Sequence, residues 1–257
     1  MVEGPTAKAY AIRITNEFRN EIVRNISIKS KKVLVPKEEI IGKRFHGSNS
    51  FGKNILLFFD NKAIRIHLMM FGAIHIYGIN DPLLKPKERV RLMVAGDRKK
   101  LVVYNAPIVE LDEKSKILGR LRRELGPDPL SNEWDGSKAF ENIVKFSDEK
   151  IGTVLLNQSV IAGIGNILRN EILFRAGINP ERKIRDLSAE EIKRIVDFAR
   201  KLSDQFLDRK LHGKQIKDLL YVYNRFSGFC TVCAHPIKFY MQKPINRKTF
   251  VCENCQK

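Results

Sequence analysis

Cys230-Thr231-Val232-Cys233, eighteen further residues, then Cys252-Glu253-Asn254-Cys255: these two knuckles hold all four cysteines of the 257-residue chain. Each Cys-x-x-Cys pair can present two thiolates to one ion. Two pairs at this separation are the pattern of a tetrahedral four-cysteine site, so one structural Zn2+ is expected on Cys230, Cys233, Cys252 and Cys255. The intervening span suffices for a β-hairpin. Ile237-Lys238-Phe239-Tyr240 and Lys248-Thr249-Phe250-Val251 are rich in strand formers, with Pro244, Asn246 and Arg247 near the turn. Two disulfides are the alternative use of four cysteines, but the chain lacks the disulfide-dense composition of small secreted scaffolds. A basic hairpin stapled by zinc suits nucleic-acid binding; a purely structural hairpin is the competing reading.

The formal net charge is +18 and the sequence pI about 9.8, which makes a polyanion the default partner. The positive charge is spread along the chain and not gathered on one amphipathic helix. DNA or RNA is therefore expected before a membrane. High lysine content also fits a warm habitat. Hydrophobic residues make up 43%, enough for an ordinary core. No apolar run approaches the length of a membrane-spanning helix. Met1-Val2-Glu3-Gly4-Pro5 has no basic region followed by an apolar run, so no signal peptide is expected. The expectation is a soluble, unsecreted monomer without a membrane partner, cytoplasmic and nucleoid-associated in a prokaryote or nuclear in a eukaryote.

Outward from the hairpin, periodicity predicts an α+β chain in two domains. Tyr10, Ile14, Phe18 and Ile22 recur every four residues, which predicts a helix over 6–25, with Pro5 suited to its first turn. From residue 26 the period becomes two. Short strands at 26–28, 33–35, 54–59, 63–68, 73–77, 90–94 and 101–104, separated by turn residues such as Asp60-Asn61 and Gly96-Asp97, predict a β-sandwich or barrel of six to eight strands. Gly126-Pro127-Asp128-Pro129 breaks the pattern and marks a boundary. This gives an N-terminal domain over 1–125, a linker over 126–136, a helical domain over 137–222 and the zinc hairpin over 223–257. Within the helical domain, helices are expected near 139–146, 151–156, 167–176 and 188–207.

Four segments carry candidate chemistry. In Gln158-Ser159-Val160-Ile161-Ala162-Gly163-Ile164-Gly165-Asn166, Gly163 and Gly165 permit tight turns and Asn166 can cap the next helix, whose free amides suit a phosphate. A plain turn between helices is the competing reading. At the N-terminus, Val2 is small enough for removal of Met1 to be expected. Its α-amine then titrates near 7.7–8.0, against about 10.4 for lysine, so a useful fraction is neutral and nucleophilic. Glu3 beside it suits proton transfer. In Ser50-Phe51-Gly52-Lys53-Asn54, Lys53 enters a strand behind a glycine. His67-Leu68-Met69-Met70-Phe71-Gly72 reads either as core or as a wedge that enters a base stack.

Taken in order, these segments resemble the Fpg/Nei family of DNA glycosylases. The likeness covers essentially the whole chain. It includes Glu3-Gly4-Pro5, Gly52-Lys53, Met69-Met70-Phe71-Gly72, Leu125-Gly126-Pro127-Asp128-Pro129-Leu130, Ala162-Gly163-Ile164-Gly165-Asn166, Glu171-Ile172-Leu173-Phe174, Ala176-Gly177-Ile178-Asn179-Pro180 and Arg247-Lys248-Thr249-Phe250-Val251-Cys252. The resemblance implies that the helical domain is a helix-two-turn-helix module which, with the zinc hairpin, grips damaged, mainly duplex DNA facing a β-sandwich. It implies attack by the Val2 amine on C1′ of the damaged nucleotide, a Schiff base and β- or β,δ-elimination. Glu3 would handle protons. Lys53, Asn166 and Arg247 would hold phosphates, and Met69, Met70 and Phe71 would fill the space of an everted base.

The chain departs from the family pattern in places. Val2 stands where proline is usual, and a primary amine forms a neutral imine where proline forms only a charged iminium, so a slower lyase step is expected. Thr6 stands where most relatives carry glutamate. The hairpin spacer is slightly longer than usual. Tyr104-Asn105-Ala106-Pro107-Ile108 lacks the Arg-Phe-Gly wedge of the Fpg branch, and His212 to Tyr223 is short for the loop that encloses 8-oxoguanine. Both features place the likeness nearer the Nei-like branch and oxidised pyrimidines. A monofunctional or 8-oxoguanine-directed enzyme and a non-catalytic lesion binder are the alternatives.

Overall fold

A computed structural model describes residues 2–257, which form two compact units dividing between Arg123 and Glu124. In the first unit, α1 (Gly4–Phe18) precedes β1 (Asn25–Ile28), β2 (Lys32–Val33), β3 (Gly47–Phe51), β4 (Asn54–Phe59), β5 (Lys62–His67), β6 (Ala73–Gly78), β7 (Val90–Ala95), β8 (Lys99–Tyr104) and β9 (Ile108–Glu113), with α2 (Lys114–Glu124) at its end. One antiparallel sheet runs β1-β7-β8-β6. The other runs β2-β9-β5-β4-β3, in which only the β2–β9 pair is parallel. Alternation directs Ile55, Leu57, Ile64, Ile66, Val109 and Leu111 of one sheet and Ile26, Leu92, Val94, Leu101 and Val103 of the other into a shared core. Ala7, Ala11, Ile14 and Phe18 of α1 join it.

The first helix stops seven residues short of the expected 25. Arg19 is already extended and Asn20 is left-handed (φ 66°), after which Val23 turns back to bond Lys43. Ile22 and Val23 thus kept the apolar period without the helix. Among its described residues the first unit holds nine strands where six to eight were expected. β3 was missed because Gly47-Ser48-Asn49-Ser50-Phe51 has no apolar alternation; its partner β4 imposes the register, from Gly47 opposite Phe58 to Phe51 opposite Asn54. β9 and α2 were not anticipated either. α2 is strongly basic and buries only Ile117 and Leu121.

The second unit contains α3 (Gly136–Val144), α4 (Ile151–Val154), α5 (Asn166–Ala176), α6 (Ala189–Leu211), β10 (Lys238–Gln242) and β11 (Arg247–Val251). The predicted helices are present, although α4 is a single turn. A capping box starts α6: the Ser188 hydroxyl accepts from the Glu191 amide, and the Glu191 carboxylate accepts from the Ser188 amide. Ile143, Leu155, Ile161, Leu168, Ile172, Ile195 and Leu202 make the helical core. Segment 126–136, expected as a linker, is anchored here: the Gly126 amide donates to the Gln158 carbonyl, the Ala162 amide donates to the Pro127 carbonyl, and Leu130 is buried.

A candidate nucleic-acid site and a four-cysteine centre

In the first unit, the backbone brings three predicted segments together. Val2 is buried and belongs to the sandwich core. Its nitrogen donates to the Met69 carbonyl at 3.1 Å. Glu3, 4% exposed, is the N-cap of α1, and its carbonyl accepts from the Thr6 and Ala7 amides. Its carboxylate therefore belongs to the positive end of a fifteen-residue helix. Met69 is left-handed (φ 49°), and Met69, Met70 and Phe71 are 45%, 54% and 79% exposed. The core reading of that run fails for these three, although Leu68 before them is fully buried. Such a row of large exposed apolar side chains is unusual for solvated surface.

Lys53 sits on the two-residue turn between β3 and β4, half-buried. Gly52 before it has φ +56°, a conformation that an L side chain would strain. The sequence gave His67 no role of its own. It pairs with Asn54 across β4 and β5, and its Nδ1 accepts from the Met69 amide at 3.3 Å. Burial, then the charges of Arg65 and Lys53, hold its imidazole below the usual range. A neutral ring leaves Nδ1 free to accept, so His67 orients the loop whose carbonyl meets Val2. Its alternation within β5 was legible; its partner was not.

In the second unit, Gln158 shapes the glycine-rich turn. Its Nε2 donates to the Leu156 and Ile164 carbonyls, and its Oε1 accepts from the Gly163 amide at 3.0 Å. Gly163 has φ +89°. Asn166 does not cap α5: Gly165 is the N-cap and makes no side-chain bond. Asn166 is instead the first helical residue. Its Nδ2 donates to the Lys248 carbonyl at 2.9 Å, and its buried Oδ1 has no hydrogen-bond partner. The same carbonyl accepts from Arg169 Nη2 at 3.1 Å and from Asn170 Nδ2 at 3.4 Å. Arg247, exposed, is the next residue back along β11.

Arg169 is fully buried, which pulls its guanidinium down to about 10. It also donates to Gln242 Oε1 at 2.7 Å, Thr249 Oγ1 at 2.7 Å and the Gly152 carbonyl at 3.2 Å. Gln242 is the cross-strand partner of Arg247. Glu171 accepts from the Tyr221, Val222 and Tyr223 amides at 2.8–3.0 Å; burial pushes its carboxyl up against those three bonds. Sequence reading included Glu171 in the family likeness through Glu171-Ile172-Leu173-Phe174 but gave neither residue a role, because charged residues in a helix ordinarily face solvent.

The four thiol sulfurs lie within 4.8 Å of one another, and Cys230, Cys233, Cys252 and Cys255 are all free. Neighbouring sulfurs stand 3.3–3.9 Å apart, far beyond a disulfide. Zinc–sulfur bonds of about 2.3 Å in a tetrahedron give edges of about 3.8 Å, so the cluster fits a single ion. Both knuckles share one turn: the Ala234 amide donates to the Cys230 carbonyl and the Gln256 amide to the Cys252 carbonyl. Gln256 also donates to the Ile178 carbonyl at 2.9 Å, tying the second knuckle to the helical core. These four cysteines can hold a metal ion.

A β-sandwich that buries Val2 precedes a helical unit with a four-cysteine hairpin, and both parts match one family of DNA glycosylases. Residues 1–107 match the formamidopyrimidine-DNA glycosylase N-terminal domain, and residues 125–218 match the formamidopyrimidine-DNA glycosylase H2TH domain. The chain belongs to the Fpg/Nei family. It is 30% identical over 219 residues to human endonuclease 8-like 3, covering 84% of this chain and 35% of that protein. It therefore spans about a third of the length of those relatives. It is 28% identical over 276 residues to formamidopyrimidine-DNA glycosylase of Listeria monocytogenes, covering 100% of both. A crystal structure of Lactococcus lactis Fpg in complex with DNA containing N7-benzyl-Fapy-dG superposes with a TM-score of 0.88 at 22% identity over 99% of each chain, a likeness of fold.

Proposed function

We propose that the protein is a bifunctional DNA glycosylase and AP lyase of base-excision repair. The observation that carries the reading is the buried Val2 beside the Glu3 N-cap, its amide nitrogen hydrogen-bonded to the carbonyl of Met69 at the head of the exposed Met69-Met70-Phe71 run. Met1, whose removal the reading requires, lies outside the described residues. The freed amine attacks C1′ of the damaged nucleotide. The new C–N bond displaces the base, which leaves with the glycosidic electron pair and takes up a proton. Loss of the amine protons and opening of the sugar ring give the imine. The imine acidifies C2′; loss of that proton expels the 3′-phosphate, and water later releases the enzyme.

Glu3 is the group placed to move protons at the sugar. Lys53 on the first unit and Asn166 and Arg247 on the second bind backbone phosphates, with Gly163 and Gly165 shaping the turn before Asn166. Arg247 is suited to bidentate contact. Met69, Met70 and Phe71 fill the space of the everted base. The metal is one Zn2+, which shapes the hairpin and takes no part in bond making. The partner is damaged, mainly duplex DNA, bound by a monomer. The lesions are oxidised pyrimidines, as the missing Arg-Phe-Gly wedge at 104–108 supports. With a primary amine the lyase step is slower than with proline.

Borohydride trapping tests this on duplexes carrying an abasic site or an oxidised pyrimidine, with mass mapping of the cross-linked peptide. An adduct on the Val2 amine is expected. No adduct with binding intact sinks the lyase mechanism. Glu3→Gln should abolish excision and keep DNA binding; unchanged excision removes Glu3 from its role.

A further inference from the structure

A buried polar chain lies beneath the Lys53 turn and takes no part in the chemistry above. Alternation places Asn54 and Leu56 of β4, Arg65 and His67 of β5 and Glu110 of β9 on one face of the five-stranded sheet. This is the face turned away from the core residues Ile55, Ile64 and Val109. Arg65 pairs with Leu56 on one side and Glu110 on the other, so it stands diagonal to Asn54.

The links are directional. Asn54 Nδ2 donates to the Phe51 carbonyl at 3.0 Å, across the two-residue turn that carries Lys53. Asn54 Oδ1 accepts from Arg65 Nε at 2.8 Å. Arg65 Nη1 donates to Glu110 Oε2 at 3.2 Å. Arg120 of α2 donates to both Glu110 oxygens at 2.6 and 2.7 Å. Asn54 and Glu110 are buried, and the Arg65 side chain is 13% exposed.

A buried carboxylate with two guanidinium partners has its charge compensated. Apolar side chains of equal volume would nevertheless hold a sheet about as well. What the polar chain adds is orientation: each donor and acceptor admits one rotamer of its neighbour. Its last bond ends on the carbonyl that flanks the turn. We propose that Arg65 is a positioning residue for the reaction: acting through Asn54 it sets the Gly52-Lys53 turn, while Glu110 and Arg120 brace it from behind. The proposal rests on the reading of Lys53 as a phosphate ligand.

The test is a double-mutant cycle on single-turnover cleavage of an abasic duplex, with Kd for the same duplex measured by anisotropy. Arg65→Met leaves Glu110 paired with Arg120, so no buried charge is orphaned. It should lower the rate about 10- to 100-fold, the effect of a small misplacement, with a much smaller change in Kd. Arg65→Lys should recover part of that loss. Asn54→Ala removes both the acceptor for Arg65 and the donor to Phe51 without adding a charge, so it should match Arg65→Met. The double variant should be no slower than the slower single. Additive losses, or an unchanged rate in Arg65→Met, overturn the proposal. If the wild-type protein neither cleaves nor is trapped, the lyase reading fails by itself. Amide exchange then decides the coupling: Arg65→Met should speed exchange at Lys53 and Asn54 relative to the rest of the sheet, and unchanged exchange there overturns it.

Discussion

Two antiparallel hairpins each carry a proposed phosphate ligand, and they are held by opposite means. The β3–β4 hairpin carries Lys53 on a two-residue turn, and Ile55, Leu57 and Phe59 root it in the sandwich core. The β10–β11 hairpin carries Arg247 beside a four-residue loop and has only a small apolar floor, chiefly Phe174, Val222, Ile237 and Phe250. It is fastened by the cysteine cluster and by side-chain donors from α5. Where a strand pair cannot bury enough apolar surface, metal and directional polar contacts take over the work.

The sharpest way to break this contrast is to remove one thiol. Cys233→Ser should abolish metal binding and unfold the β10–β11 hairpin while the sandwich stays folded. Metal stoichiometry and amide exchange would show it; a protected hairpin without metal would mean the apolar floor suffices. Next comes Arg169→Met, which orphans Gln242 Oε1 and part of the hydrogen bonding at the Lys248 carbonyl. A cost of about 3 kcal/mol is expected, confined to the second unit in chemical denaturation, and a cost below about 1 kcal/mol would mean the contacts are redundant. Gly52→Ala should cost about 1 kcal/mol, because φ +56° strains any Cβ, and should leave the second unit's transition in place.

The smallest effect belongs to His67. Burial and the charges of Arg65 and Lys53 hold its imidazole below the ordinary value of about 6.5. The unfolded chain therefore takes up the proton first. Stability is fully present above pH 6.5 and falls as the pH drops below it. His67→Asn should flatten that slope between about pH 6.5 and 5, above the range in which most carboxylates titrate. An unchanged slope would assign it to another histidine; His75 is depressed as well, by burial and by Lys85 and Arg13.

Local signals were the legible ones. Cysteine spacing alone marked the metal cluster, because both knuckles are closed by turns within the motif. Asp60-Asn61 and Gly96-Asp97 announced the β4–β5 and β7–β8 turns. Features that depend on distant partners stayed hidden. β3 exists because β4 imposes a register on a polar segment. Asn166, apt by type for a cap, is recruited by a carbonyl 82 residues away. Arg65 and Glu110 lie 45 residues apart and meet only through sheet pairing. The N-terminal helix was overdrawn because Ile22 and Val23 keep a helical period while serving another packing.

The carbonyl of Lys248, which receives Asn166, Arg169 and Asn170, has an evolutionary corollary. The group that receives them belongs to the main chain, so the side chain at 248, which stands over the Phe226 ring at 5.3 Å, can change without removing those bonds. A mutational scan would score that position as permissive, while scoring Asn166, Arg169 and Asn170 as constrained for no visible reason. Comparison of sequences alone would then divide a single device into three unrelated sites and overlook its centre.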